Sequence, residues 1–172
     1  MNTHRWILVA EDNPNDADLT LRALSADKAP DEIVLAIDGA EALDCLYRRG
    51  AFKKRDGEPP AVILLDLKMP RVDGLEVLRQ VKNDAALKNI PVVIFTSSKE
   101  RADLMRTYQM GANAYVVKPL GYQEFVAALR DVKKFWVVLN EPPPPELLRN
   151  ADVTTLRPDV QPSQPQLAPV AW

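Results

Sequence analysis

The chain has 172 residues, enough for one ordinary domain with a substantial core plus an appendage, and too few for two domains of typical size. Its 22 basic and 24 acidic side chains leave a formal charge of −2, which gives no reason to expect nucleic acid or a membrane surface as the principal partner. The one cysteine, Cys45, excludes an internal disulfide framework and a cysteine-based zinc site.

The first apolar run, WILVA at 6–10, gives way to Glu11 and Asp12. That is too short for a signal peptide, and no apolar stretch approaches the ~20 residues a bilayer requires, so a cytoplasmic protein is expected. NDADLTLRALSA follows, with Ala17, Leu21 and Leu24 on one helical face. EIVLAI (32–37) reads as a second strand, and AEALDCLYRRG as a helix that uses Cys45 as a small core hydrophobe rather than as a reactive thiol. Arg48, Arg49, Lys53, Lys54 and Arg55 then cluster beside a glycine and two prolines, and read as a solvated loop rather than a phosphate-backbone patch.

AVILLD (61–66) is the third run, and GLEVLRQVKND after it aligns Leu75, Leu78 and Val81. PVVIFT (91–96) is the fourth, followed by RADLMRTYQMG with a helix-stopping Gly111. AYVVK (114–118) is the fifth. The closing segment, GYQEFVAALRDVKKFWVVLN, reads as one helix whose core stripe is Tyr122, Phe125, Val126, Leu129, Val132, Trp136 and Leu139. Phe135, Val137 and Val138 are left over as excess apolar surface, which marks an interface.

Strand then helix, five times over, predicts an α/β fold: an open, doubly wound, five-stranded parallel sheet with helices on both faces. The runs are nearly continuous rather than alternating, as strands covered on both faces require. This domain is expected over residues 1–140. Residues 141–172 hold eight of the fifteen prolines and form a tail expected to be extended or partly disordered.

Ligands in open α/β sheets bind outside the carboxyl ends of the strands. The first run ends in Glu11 and Asp12, the third in Asp66, the fourth in Thr96 and the fifth in Lys118. Each has a plain reading: Glu11 and Asp12 favour a helix N-terminus, Thr96 caps a helix, Lys118 is solvated, and Tyr115 is an ordinary strand residue. His4 reads as an exposed terminal residue. Taken together, the acids need a cation, and Mg²⁺ with oxygen ligands answers that need. Asp66, ionised and held at that metal as a ligand, is a nucleophile toward phosphorus, with Lys118 and Thr96 placed to receive the phosphoryl oxygens.

The ordered set EDN, LLDLKMPRVDG, FTSS and YVVKP resembles the receiver domain of two-component response regulators, over about residues 5 to 139. The resemblance implies a flavodoxin-like (CheY-like) sheet of order 2-1-3-4-5, which is the handedness and order of a known doubly wound class. It implies Asp66 as phosphoacceptor, Asp12 as a direct Mg²⁺ ligand, Glu11 as a ligand through water, and the backbone carbonyl of Lys68 as a further ligand. Thr96 becomes the switch hydroxyl, Tyr115 the aromatic that moves with it, and Lys118 the phosphate-binding ammonium. A lysine at position 68 departs from the commonest pattern and is expected to alter the lifetime of the phosphorylated state.

The basic insertion, the TSS pair and the FW helix end are similar to stand-alone response regulators that serve phytochrome-type sensor kinases. The function implied is a single-domain, non-enzymatic response regulator in a phosphorelay, phosphorylated by a sensor histidine kinase, with a bacteriophytochrome as candidate. A homodimer through the last helix, the fifth strand and the tail is expected, with no nucleic-acid or membrane partner. Two other classes stay open: a phosphorylation-independent receiver-like scaffold, and an aspartate-nucleophile phosphatase, which expects a second aspartate where Lys68 stands.

Overall fold

The computed structural model describes residues 5–26, 32–144 and 147–148. In chain order the elements are β1 (Trp6–Ala10), α1 (Pro14–Leu24), β2 (Glu32–Ala36), α2 (Gly39–Leu46), a 3-10 turn (Gly50–Phe52), β3 (Val62–Leu65) and α3 (Gly74–Asn83). Then come β4 (Val92–Thr96), α4 (Arg101–Gln109), β5 (Ala114–Val117), α5 (Tyr122–Lys133) and a π-helical turn (Lys134–Leu139). All strand pairs are parallel and the sheet order is β2-β1-β3-β4-β5. That is the doubly wound order the resemblance implies.

Successive strand residues point to opposite faces, so the sheet divides the core in two. On one face Leu8, Ala10, Ile63, Leu65 and Ile94 pack against Ala42 and Leu43 of α2 and Val77, Leu78 and Val81 of α3. On the other, Ile7, Val9, Leu64, Val93 and Phe95 pack against Leu24 of α1 and Phe125, Leu129 and Val132 of α5. Each buried Val, Leu, Ile or Phe among them contributes roughly 1.5–3 kcal/mol. Cys45 lies in the first cluster, and burial pushes its thiol up to about 11, as a core residue requires.

Three helices start at capped turns. The side chains of Asn13, Asp38 and Asp73 accept backbone N–H groups at the starts of α1, α2 and α3. Register does the rest. Ala10 pairs with Leu65 and Thr96 with Val117, so the residues that follow, Glu11, Asp66 and Lys118, emerge together at one end of the sheet.

The structure departs from the sequence pattern in three places. Only β1, β3 and β4 are buried throughout, while β2 and β5 are half-buried because they are the edges of the sheet. Ile37, expected in the second strand, lies past its end and is exposed.

The last helix does not keep one period. After Lys133 it widens into a π-turn, in which Asn140 N donates to Phe135 O, five residues back, at 2.7 Å. The five-residue step from Val132 carries Val137 into the core at 3% exposure, whereas Leu139, placed in the core stripe by a 3.6-residue period, is 61% exposed. Tyr122, also expected inside, is exposed at the first turn. Phe135, Val138 and Leu139 therefore form the apolar surface patch. The guanidinium of Arg5 donates to the carbonyls of Val137 and Asn140 and closes this helix end.

The arginines of the basic insertion are engaged. Arg55 makes a bidentate pair with Glu32 and stacks 3.9 Å above the Trp6 ring, Arg49 pairs with Asp44, and Arg48 donates to Gly57 O. In the tail, Asn89 donates to Leu147 O at 3.2 Å and Leu148 packs against the core. His4 and tail residues 145, 146 and 149–172 lie outside the described residues.

Candidate functional site

The site is built from strand ends. Asp66 follows β3; its N–H donates to Ala10 O at 3.0 Å, and its Oδ1 accepts from the backbone N of Leu67 at 2.6 Å and of Lys68 at 3.4 Å. The chain then turns through Pro70 and Arg71 and comes back so closely that a Cβ on Gly74 would sit 2.0 Å from Asp66 O. Only glycine fits there. Gly74 N donates to Leu67 O at 2.8 Å, and α3 departs from that point.

Lys118 leaves β5 and is buried beneath the rim. Its ammonium donates to Glu11 Oε2 at 2.5 Å, Asp66 Oδ2 at 2.8 Å and Asp16 Oδ2 at 2.8 Å. Burial alone favours the neutral amine, but the hydrogen bonds to Asp16, Asp66 and Glu11 outweigh it and hold Lys118 above the usual lysine range. Burial pushes Glu11 up to about 7, with Lys118 pulling it back only in part. The other oxygen of Glu11 accepts from Asn13 N at 3.0 Å, so its orientation is fixed at both ends.

Carboxylate oxygens of Glu11, Asp12 and Asp66 lie within 4.8 Å of one another. An all-oxygen, acid-rich donor set in an accessible cleft fits a hard divalent cation, with Asp12 exposed to receive it. The cleft, about 680 Å³, is lined by Asp12, Asp16, Asp66, Lys68, Thr96 and Lys118 among others. Lys68 extends to its edge, with Nζ 3.9 Å from Glu100.

Thr96 and Tyr115 meet through a residue that the sequence left without a role. Ser98 donates its N–H to Thr96 Oγ1 at 3.4 Å, and its carbonyl accepts the Tyr115 hydroxyl at 3.0 Å. Its own hydroxyl donates to Asp103 of α4 at 2.6 Å. Tyr115 is half-buried against the core with its ring turned toward this bond.

The fold thus gathers Glu11, Asp12, Asp66, Thr96 and Lys118 into one cleft, with Lys68 at its edge and Tyr115 one contact away. Sequence reasoning missed Asp16 and Ser98. A signal for Asp16 existed: Asn13 caps α1 and Pro14 starts it, which fixes Asp16 as the third residue of the first turn, beside the strand ends.

A cleft of this chemistry at the carboxyl edge of a 2-1-3-4-5 sheet defines a response regulator receiver domain, and the chain belongs to that family, whose model matches residues 7–130. Receiver domains bind a divalent metal, work with sensor histidine kinases, and are generally signalling proteins rather than enzymes. Among curated relatives, the chain is 37% identical over 140 residues to the probable methanogenesis regulatory protein FilR2 of Methanothrix harundinacea, covering 81% of this chain and 88% of that protein. It is 31% identical over 136 residues to response regulator Rcp1 of Synechocystis, covering 79% and 91%.

Among solved structures, the phosphorylated cyanobacterial phytochrome response regulator RcpA superposes with a TM-score of 0.77 at 33% identity, covering 83% of this chain and all of that one (100%). The bacteriophytochrome response regulator RtBRR is 53% identical at a TM-score of 0.65, covering 81% and 84%. The Mn²⁺-bound form of Rcp1 aligns at 0.75 and 30% identity, covering 81% and 99%. No helix among the described residues is long and apolar enough to cross a membrane.

Proposed function

We propose that the protein is a response regulator that accepts a phosphoryl group on Asp66 from the phosphohistidine of a sensor histidine kinase and signals by protein contact. The observation that carries this reading is the placement of the Asp66 carboxylate between the Lys118 ammonium, 2.8 Å away, and the acidic cluster with Glu11 and Asp12. An Asp66 oxygen attacks phosphorus; the O–P bond forms as the P–N bond of the phosphoimidazolium breaks, and the electron pair leaves on neutral imidazole. Lys118 and Thr96 receive the phosphoryl oxygens.

Asp12 and Asp66 directly, Glu11 through water and the Lys68 carbonyl are the residues that would hold Mg²⁺. That cation supplies neutralisation of the developing phosphoryl charge. Thr96 is drawn toward the phosphoryl group, and because Ser98 bonds both Thr96 and Tyr115, the aromatic ring moves with it. The likeness to RcpA and RtBRR favours a phytochrome-type kinase as the donor. A cytoplasmic location is part of this reading. The exposed Phe135, Val138 and Leu139 favour a homodimer through the last helix, to which the fifth strand and the proline-rich tail are proposed to contribute.

Intact-protein mass spectrometry after incubation with acetyl phosphate and Mg²⁺ tests the site. A gain of one phosphoryl group in the wild type and none in Asp66→Asn is expected. Absence of any gain, with transfer from an autophosphorylated bacteriophytochrome kinase also silent, rules the reading out. Light scattering at tens of micromolar reads the dimer, which a monomeric mass excludes.

A further inference from the structure

An ammonium has three N–H donors, and Lys118 spends all three on carboxylates: Glu11 at 2.5 Å, Asp66 at 2.8 Å and Asp16 at 2.8 Å. A phosphoryl group on Asp66 offers three oxygens where a single carboxylate oxygen stood. The N–H already aimed at Asp66 passes to one of them, and a second phosphoryl oxygen is reached only if Lys118 gives up another partner.

The two remaining partners differ. Glu11 is enclosed, with a side chain 4% exposed, and its second oxygen is anchored on Asn13 N. Losing Lys118 leaves a buried carboxyl oxygen without its hydrogen-bond donor, which is costly. Asp16 is 32% exposed on the first turn of α1, where water replaces the lost contact. It also borders a second, outward groove lined by Leu19, Pro119, Leu120 and Tyr122, so its carboxylate faces accessible space beyond the cleft.

We propose that Asp16 is a positioning residue that restrains Lys118 in the unphosphorylated protein and yields it to the phosphoryl group, so that the two compete for one ammonium. This rests on the reading of Asp66 as phosphoacceptor. Asp16 thereby sets how readily the site accepts phosphoryl oxygens, without touching phosphorus itself. Its cost to the site is that of a partly exposed ion pair, about fivefold in affinity.

The test uses the full chain with beryllofluoride, a phosphoryl mimic, and Mg²⁺. Asp16→Asn and Asp16→Ala are expected to bind beryllofluoride about fivefold more tightly than wild type, and to gain phosphoryl mass from acetyl phosphate faster by a similar factor. Mg²⁺ affinity in the absence of the mimic stays within about twofold of wild type, because Asp16 is not among the candidate ligands. A general structural role of Asp16 would lower all three. A crystal structure with beryllofluoride is expected to show Lys118 Nζ more than about 4 Å from Asp16 and still on Glu11. Unchanged or weaker binding in both variants overturns the proposal, as does a complex in which Lys118 keeps Asp16 and leaves Glu11. Failure of the wild type to take either group overturns the reading of Asp66 and the role of Asp16 with it, and is told apart by that wild-type result alone.

Discussion

Arg71 and Asp38, on two different connections of the sheet, are locked together: Nε of Arg71 donates to Asp38 Oδ2 at 2.6 Å, and its Nη2 lies 2.6 Å from the same oxygen as an ion pair. The other oxygen of Asp38 accepts from Glu41 N at 2.8 Å and caps α2, and Arg71 adopts a left-handed backbone with φ +63° to reach it. The pair thus ties the turn that follows Asp66 to the start of α2. Asp38→Ala loses a cap and a charged hydrogen bond together and is expected to cost about 2 kcal/mol in urea unfolding. Arg71→Gly is expected to be more stable than Arg71→Ala by about 1 kcal/mol, because glycine alone adopts that φ without strain. Equal stability of the two Arg71 variants would show that the left-handed turn carries no strain.

Gly74 is the second constraint on the same turn. With a Cβ there 2.0 Å from Asp66 O and 2.7 Å from Leu67 Cα, both backbone atoms, Gly74→Ala must displace the strand end itself. A loss of about 3 kcal/mol is expected from chemical denaturation, together with weakened divalent-metal binding by calorimetry. A folded variant with wild-type metal affinity contradicts the close approach.

The acidic cluster predicts a pH dependence with a definite sign. Burial raises Glu11 from 4.5 to about 7, so between those values the folded chain binds a proton that the unfolded chain has released. Stability attributable to Glu11 is therefore fully present below pH 4.5 and is lost as the pH rises through about 7. The span amounts to about 3 kcal/mol at most. In metal-free buffer the wild type should lose more stability than Glu11→Gln between these limits, as read by thermal melts across the range. Parallel profiles contradict the assignment.

The π-turn separates two adjacent valines. Val137→Ala removes a buried side chain and is expected to cost about 2 kcal/mol, whereas Val138→Ala, on the exposed side, should change stability by less than about 0.5 kcal/mol. The contrast is measured by urea unfolding of the two variants. A regular 3.6-residue helix through Leu139 predicts no such ordering, so equal effects would remove the π-turn from the account.

Much of this molecule is legible locally. Five apolar runs, capped helix starts such as Asn13 followed by Pro14, and acids at the ends of the first and third runs are short-range patterns. Solvation and backbone hydrogen bonding enforce them wherever they occur. They determined the α/β class, the strand and helix order, and the candidate set Glu11, Asp12, Asp66, Thr96 and Lys118. What tertiary structure decided were relations between distant segments. Lys118 meets Asp16 across 102 residues, Ser98 joins Thr96 to Tyr115, and Arg71 reaches back to Asp38. Edge position leaves β2 and β5 half-buried although their runs are largely apolar, as those of the central strands are. The helix end takes its wider turn where Arg5, from the other end of the chain, holds the carbonyls of Val137 and Asn140. A charged side chain finds its partner only where strand register and helix packing bring the two within hydrogen-bond distance, and no local pattern encodes that distance.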